Sequence, residues 1–194
     1  MILRRSALFF ACWFTIAAAS AAHPQVRMQT NVGAVTLVLY PARAPKTVAN
    51  FLRYVKSGFY NGTVFHRVIA NFMIQGGGFN RALHAKATRP PIPNEAANGL
   101  KNRAYTIAMA RTADPNSATA QFFINVKDNP FLDYRAPTRG GYGYCVFGKV
   151  IAGRAVVKRI AGQPTGAAGP FAADVPLKPI IIETAAVVSP PGKR

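Results

Sequence analysis

Cysteine is nearly absent: the 194 residues hold two, Cys12 and Cys145. Cys12 falls in an N-terminal stretch expected to be removed, and the one remaining thiol cannot close an intramolecular disulfide. Cys145 lies in an alternating strand-like stretch, Tyr142 to Val150, where it reads as a small buried apolar residue and not as a nucleophile. Histidine is as scarce. His23, His66 and His84 are scattered without metal-ligand spacing, so no metal is expected, and no cofactor motif is present. Gly76, Gly77 and Gly78 lack the following helix and the lysine of a phosphate loop. Long apolar runs are missing too. Ala7 to Ala18 is shorter than the about 20 residues a spanning helix needs.

That run has the makings of an export signal instead. Arg4 and Arg5 form a basic start, and Ala19-Ser20-Ala21 or Ser20-Ala21-Ala22 supplies small residues for cleavage. Residues 1–22 are therefore expected to be a cleaved signal peptide, with a membrane anchor as the alternative. The rest of a twin-arginine motif is absent, and Cys12 has no good lipobox around it. This places the chain in the periplasm, or outside the cell, with no stable membrane insertion after cleavage. Residues 23–194 then form one domain, long enough for a full core. Acidic residues are few, six against 24 Lys and Arg, for a net charge of +18. Without Arg4 and Arg5, 22 basic and six acidic side chains remain, or +16. A basic excess favours nucleic acid or anionic lipid. Here it is spread along the chain, with no cluster beyond Arg139 or Lys193-Arg194, so no specific nucleic-acid partner is expected.

What the chain does contain is many short strand patterns. Val26 to Asn31 and Gly33 to Tyr40 read as a strand pair, with Val35, Leu37 and Leu39 on one face. Pro45 opens a helix whose Val48, Phe51, Leu52 and Val55 share a face, and Gly58 ends it. Arg154 to Ala161 reads as a second helix, ended by Gly162, and Pro179 to Val188 as a last strand. Asn80 to Arg103, with Pro90, Pro91 and Pro93, is the longest loop-like stretch. Ala104 to Ala110 and Gln121 to Asn125 are further strands. Many strands, few helices and no βαβ rhythm indicate a mainly β barrel or sandwich.

The organising stretch is Phe65 to Phe79, F-H-R-V-I-A-N-F-M-I-Q-G-G-G-F. It reads as a strand from Val64 to Ile69, a break at Ala70-Asn71 and a second run from Phe72 to Gln75, closed by the glycines. Side chains alternate along a strand. Met73 and Gln75 are thus expected on one face, with Phe72 and Ile74 on the other unless the Asn71 break twists them. One cation, one amide and large apolar groups come close together, which suits a ligand that is apolar on one side and amide-like on the other. A proline in a peptide is such a ligand.

This stretch resembles the cyclophilins, the peptidyl-prolyl cis-trans isomerases, whose pattern F-H-R-x-I-x-x-F-M-x-Q-G-G it matches at every fixed position. A-M-A-R at Ala108 to Arg111, S-A-T-A-Q-F-F-I-N at Ser117 to Asn125 and Y-C-V-F-G-K-V at Tyr144 to Val150 extend the likeness from Val26 to Val188. N-E-A-x-N-G-L at Asn94 to Leu100 is similar to the exported bacterial branch. The resemblance implies a closed eight-stranded antiparallel β-barrel capped by two α-helices, with the active groove on its outer face. It implies isomerase activity on proline-containing unfolded or partly folded polypeptides, and a monomer.

Such catalysis breaks no bond, so it needs neither nucleophile nor metal. A cation that donates to the prolyl nitrogen stabilises the twisted amide and not the planar one. Arg67 is assigned this role, because guanidinium is always charged and presents a planar fork. Gln75 is expected to hold one arm of it. Phe72, Met73, Phe123 and Leu132 are expected to build the proline pocket, with Gln121 on the face of Phe123 and with Phe122 in the core. Ala110 and Arg111 match the family's main-chain contact to substrate. His66 either lines the site or is structural. Phe131 stands where many eukaryotic members have tryptophan, and Tyr144 where they have histidine. The loss of the indole N–H implies weak cyclosporin binding. Gly78, often aspartate in the family, carries no expected consequence. A non-enzymatic chaperone or surface-binding protein using the same groove is the competing reading.

Overall fold

The computed structural model describes residues 23–188; the expected signal peptide and the last six residues lie outside them. Eight strands form a closed antiparallel barrel in the order β1-β10-β3-β4-β6-β5-β7-β2. They are β1 (Gln25–Thr30), β2 (Gly33–Leu39), β3 (Thr63–Ile69), β4 (Met73–Asn80), β5 (Thr106–Met109), β6 (Phe122–Asn125), β7 (Val146–Ala152) and β10 (Ile181–Val188). A separate hairpin, β8 (Thr165–Ala168) with β9 (Phe171–Pro176), is inserted before β10. Two helices complete the fold, α1 (Pro45–Lys56) and α2 (Arg154–Ala161).

Each helix is built from the face its sequence buries. Pro45 sits in the first turn of α1, where its missing N–H leaves no bond unmade. Val48, Phe51 and Val55 are buried on one side, joined by Thr47, Asn50 and Tyr54. Gly58, at φ 67°, follows the C-terminal Ser57 and turns the chain away. Phe51 meets Phe147 at 5.1 Å and Phe122 at 5.9 Å between centroids, which ties α1 to the barrel interior. The helix α2 buries Val157, Ile160 and Ala161.

The barrel core follows from strand alternation. Val35, Leu37 and Leu39 of β2, Ile74 of β4, Ile107 of β5, Phe122 and Ile124 of β6 and Phe147 of β7 all point inward. The glycine run does not close β4, as the sequence pattern indicated. The strand runs through it to Asn80, and the register against β3 slips twice, between Thr63 and Phe65 and between Phe65 and Arg67. Gly77, at φ 81°, passes so close to Tyr60 and Phe122 that a Cβ there would stand 2.7 Å from the Phe122 ring. Only glycine supplies both the backbone angle and the space. The stretch from Asn80 to Arg103 is irregular apart from a 3₁₀ turn at Ala96–Asn98 and two isolated bridges.

Candidate active site

The site is a row laid across the outer surface of the barrel. Register places Arg67 of β3 opposite Gln75 of β4, Gln75 opposite Phe123 of β6, and Phe123 opposite Ala108 of β5. Directly paired residues share a face, so the cation, the amide and the apolar ring stand side by side. Met73 is two residues from Gln75 and joins the same face. With Ala108, Phe123, Leu132 and Val146 it forms a second apolar cluster, separate from the core, with Phe72, Ala110 and Tyr144 packed against it.

Phe72 does not share a face with Ile74. It lies in the β3–β4 turn, where Asn71 at φ 57° reverses the chain. That turn swings the Phe72 ring onto the outer cluster, while Ile74 enters the core. Three buried asparagines hold the surrounding backbone. Asn129 donates to the Phe72 carbonyl at 3.0 Å and to Asn125 Oδ1 at 2.7 Å. Asn102 donates to the Leu132 carbonyl at 3.1 Å. Buried amides hydrogen-bonded in this way fix the turn carrying Phe72 and the 3₁₀ turn Pro130–Leu132 against each other.

A cleft of about 330 Å³ opens over this row. It brings together His66, Arg67, Phe72, Met73, Gln75, Ala110, Arg111, Gln121, Phe123, Leu132 and Tyr144. Phe79 and Phe171 line it as well, and neither was singled out from the sequence. Phe131 is set apart. It is 57% exposed, stacks on Phe72 at 5.6 Å, and borders a shallower depression shared with Arg111, Arg139 and Tyr144.

The polar groups are disposed differently from the expected arrangement. Gln75 does not hold Arg67. Its Nε2 donates to Gln121 Oε1 at 2.9 Å, while Arg67 Nε lies 3.5 Å from Asp174 Oδ2 on β9. Gly78 proves consequential. A Cβ there would stand 2.4 Å from Gln121 Cγ, so the absent side chain lets Gln121 lie across β4 and reach Gln75. Arg111 turns onto Tyr144, with its guanidinium 4.6 Å from the ring centroid and its Nε donating to the Gly143 carbonyl at 2.9 Å. Tyr144 in turn meets Phe123 edge-on at 5.6 Å.

His66 belongs to the cleft wall. A regular strand would turn it away from Arg67, but the register slip between Phe65 and Arg67 makes it the extra residue of a bulge. It is 2% exposed and packs on Phe79 at 4.5 Å and Phe171 at 5.4 Å. Burial pushes its imidazole down to about 4, and the charge of Arg67 acts in the same direction. Cys145 is buried, and burial raises its thiol to about 11, which leaves it protonated and inert at neutral pH.

The fold and the cleft define an architecture: a closed antiparallel barrel that keeps its core filled and carries a cation beside an apolar cleft on its outer wall. Comparison with known proteins makes this specific. The family model described as cyclophilin type peptidyl-prolyl cis-trans isomerase/CLD matches residues 25–187, and the chain belongs to that family. It is 56% identical over 163 residues to the peptidyl-prolyl cis-trans isomerase cyp18 of Streptomyces antibioticus, covering 84% of this chain and 98% of that protein. It is 53% identical to peptidyl-prolyl cis-trans isomerase B of Escherichia coli, with 84% and 98% covered. The solved structure of a Cryptosporidium parvum cyclophilin type isomerase, determined with the dipeptide Ala-Pro present, superposes with a TM-score of 0.71. It is 29% identical, and the match covers 86% of this chain and 99% of that one. The chain is thus a cyclophilin-type peptidyl-prolyl cis-trans isomerase, and the expected barrel with two helices is the observed one.

Proposed function

We propose that this isomerase accelerates the folding of exported proteins, acting as a monomer on X-Pro bonds of unfolded or partly folded chains. The bond to be turned has a barrier of about 18–20 kcal/mol because the nitrogen lone pair is delocalised into the carbonyl. Unaided exchange takes on the order of 10–100 s. In this reading the proline ring enters the apolar part of the cleft, against Met73, Phe123, Leu132 and Phe72. The acyl side rotates in the open part. As the amide twists, its nitrogen becomes pyramidal and regains a lone pair, and the Arg67 guanidinium donates to it. The Gln75–Gln121 pair stands beside the cleft with amide groups for the substrate carbonyl and main chain.

The observation that carries the reading is the cross-strand row Arg67–Gln75–Phe123, which puts an exposed cation next to a preformed apolar pocket. The Ala-Pro dipeptide used with the related Cryptosporidium protein is the kind of ligand this pocket would take. The sequence of residues 1–22 supports export to the periplasm. Replacement of Arg67 by Ala tests the chemistry. A charged hydrogen bond is worth about 1.5–3 kcal/mol, so the rate should fall roughly 10- to 150-fold in a protease-coupled proline-peptide assay while the fold persists. Near-normal turnover would remove Arg67 from the mechanism.

A further inference from the structure

We propose that Asp174, on the inserted hairpin, is the positioning residue for Arg67: it holds the guanidinium by its Nε and leaves the amino groups at the end of the fork for the prolyl amide. This rests on Arg67 being the group that stabilises the twisted bond. Three observations converge on it. First, Asp174 Oδ2 is 3.5 Å from Arg67 Nε, while the side chain expected to hold Arg67, Gln75, is engaged with Gln121. Second, the backbone is bent to bring Asp174 there. The β8–β9 register passes from Gly166↔Val175 to Ala168↔Phe171, so β9 spends two more residues than β8 over this interval. Asp174 itself sits at φ 67°, a left-handed conformation that asparagine and aspartate tolerate best among residues with a side chain. Bulges of this kind re-aim side chains next to active sites.

Third, the hairpin is anchored on the site. Phe171 packs on His66 at 5.4 Å and edge-on to Phe79 at 5.0 Å, and all three line the cleft. Val175 and Pro176, on the other side of Asp174, are buried. The carboxylate is therefore held between two fixed points. As a stabilising contact the pair contributes little, because the side chains are 44% and 36% exposed and solvent screens them. Its worth is geometric. A free arginine side chain explores many rotamers, and a donor already aimed at the reacting nitrogen need not be ordered during the reaction.

The test is a double-mutant cycle. Asp174→Asn keeps the backbone conformation and the side-chain shape and removes the charge. With a proline tetrapeptide in a protease-coupled assay, kcat should fall about three- to tenfold with KM and the melting temperature unchanged, since the pair acts on the twisted state and not on ground-state binding. In an Arg67→Ala background, Asp174→Asn should cause no further loss. A hairpin that only stabilises the fold would lower both backgrounds equally and lower the melting temperature, which overturns the proposal. So would an Asp174→Asn enzyme as fast as the parent or faster, the second case meaning that the carboxylate pulls Arg67 away from substrate. If Arg67→Ala is nearly fully active, the role of Arg67 fails first. If Arg67→Ala is impaired and Asp174→Asn is not, only the positioning role of Asp174 fails.

Discussion

Adjacent phenylalanines do opposite jobs in this barrel. Phe122 is fully buried among Phe51, Tyr60 and Phe65, inside the barrel. Phe123 is 4% exposed, yet it belongs to the outer cluster and lines the cleft. Burial alone therefore does not separate a core residue from a pocket residue. Phe122→Ala should cost about 3–5 kcal/mol of stability by leaving a closed cavity. Phe123→Ala should cost less, because its space opens to the groove and admits water, but it should raise KM for proline peptides. Thermal melts and steady-state kinetics on both variants check this, and the same loss of melting temperature in both would contradict the assignment. Phe131 makes a second residue-scale case. Exposed on the rim and stacked on Phe72, it presents a ring without a donor. A ligand acceptor buried without its hydrogen bond costs about 1–3 kcal/mol, so the chain should bind cyclosporin at least about tenfold more weakly than a Phe131→Trp variant. Turnover should differ less. Equal inhibition constants for the two forms would show that position 131 does not set the affinity.

The elements that were legible in the sequence are those with a clean period. Helix α2 has the expected bounds, α1 starts at the expected proline, and β1 and β2 fall within one residue of where alternation put them. The elements that departed are irregular for a physical reason. β8 and β9 are short and alanine-rich, with Val175 and Pro176 their only buried residues, so they carry no period that would mark Asp174 and Phe171. The bulge in β3 defeated the two-residue alternation that would have turned His66 away from Arg67. That bulge has a consequence in pH. The imidazole is held down to about 4 in the fold by burial, against about 6.5 unfolded. Between those values the unfolded chain binds the extra proton, so stability rises with pH. The contribution is complete above about 6.5 and lost as pH falls to about 4, at most about 3 kcal/mol. His66→Phe keeps an aromatic ring between Phe79 and Phe171 and cannot titrate. Its melting temperature should fall less between pH 7 and pH 4.5 than that of the parent. Equal falls would mean that carboxylates carry the acid sensitivity and His66 does not.

At the scale of the whole molecule, barrel closure decides where the folded chain has to start. β1 is the strand that joins β10 to β2, and every residue from Gln25 to Thr30 pairs on both sides. The main chain stays engaged slightly further out: Leu39 N donates to the Pro24 carbonyl at 2.9 Å, and His23 meets Tyr40 edge-on at 5.6 Å. Small-residue cleavage after Ala21 or Ala22 would leave every described residue, His23 and Pro24 included, in the mature chain. A secreted form should begin at Ala22 or His23 by N-terminal sequencing, carry a charge near +16, and be recovered from the periplasm without detergent. A chain begun at His23 should melt as the secreted form does. One begun at Met28 loses the pairs of Gln25, Val26 and Arg27 with both neighbours, together with the fully buried Val26. Met28, Gln29 and Thr30 then have to close the barrel alone, and the parts of β2 and β10 that faced Gln25 to Arg27 become bare edges, which pair readily with other chains. That form should aggregate and lack isomerase activity. A Met28 form that stays soluble and active would show that the first half of β1 is dispensable for closure, and recovery of Met1 in a membrane fraction would contradict cleavage.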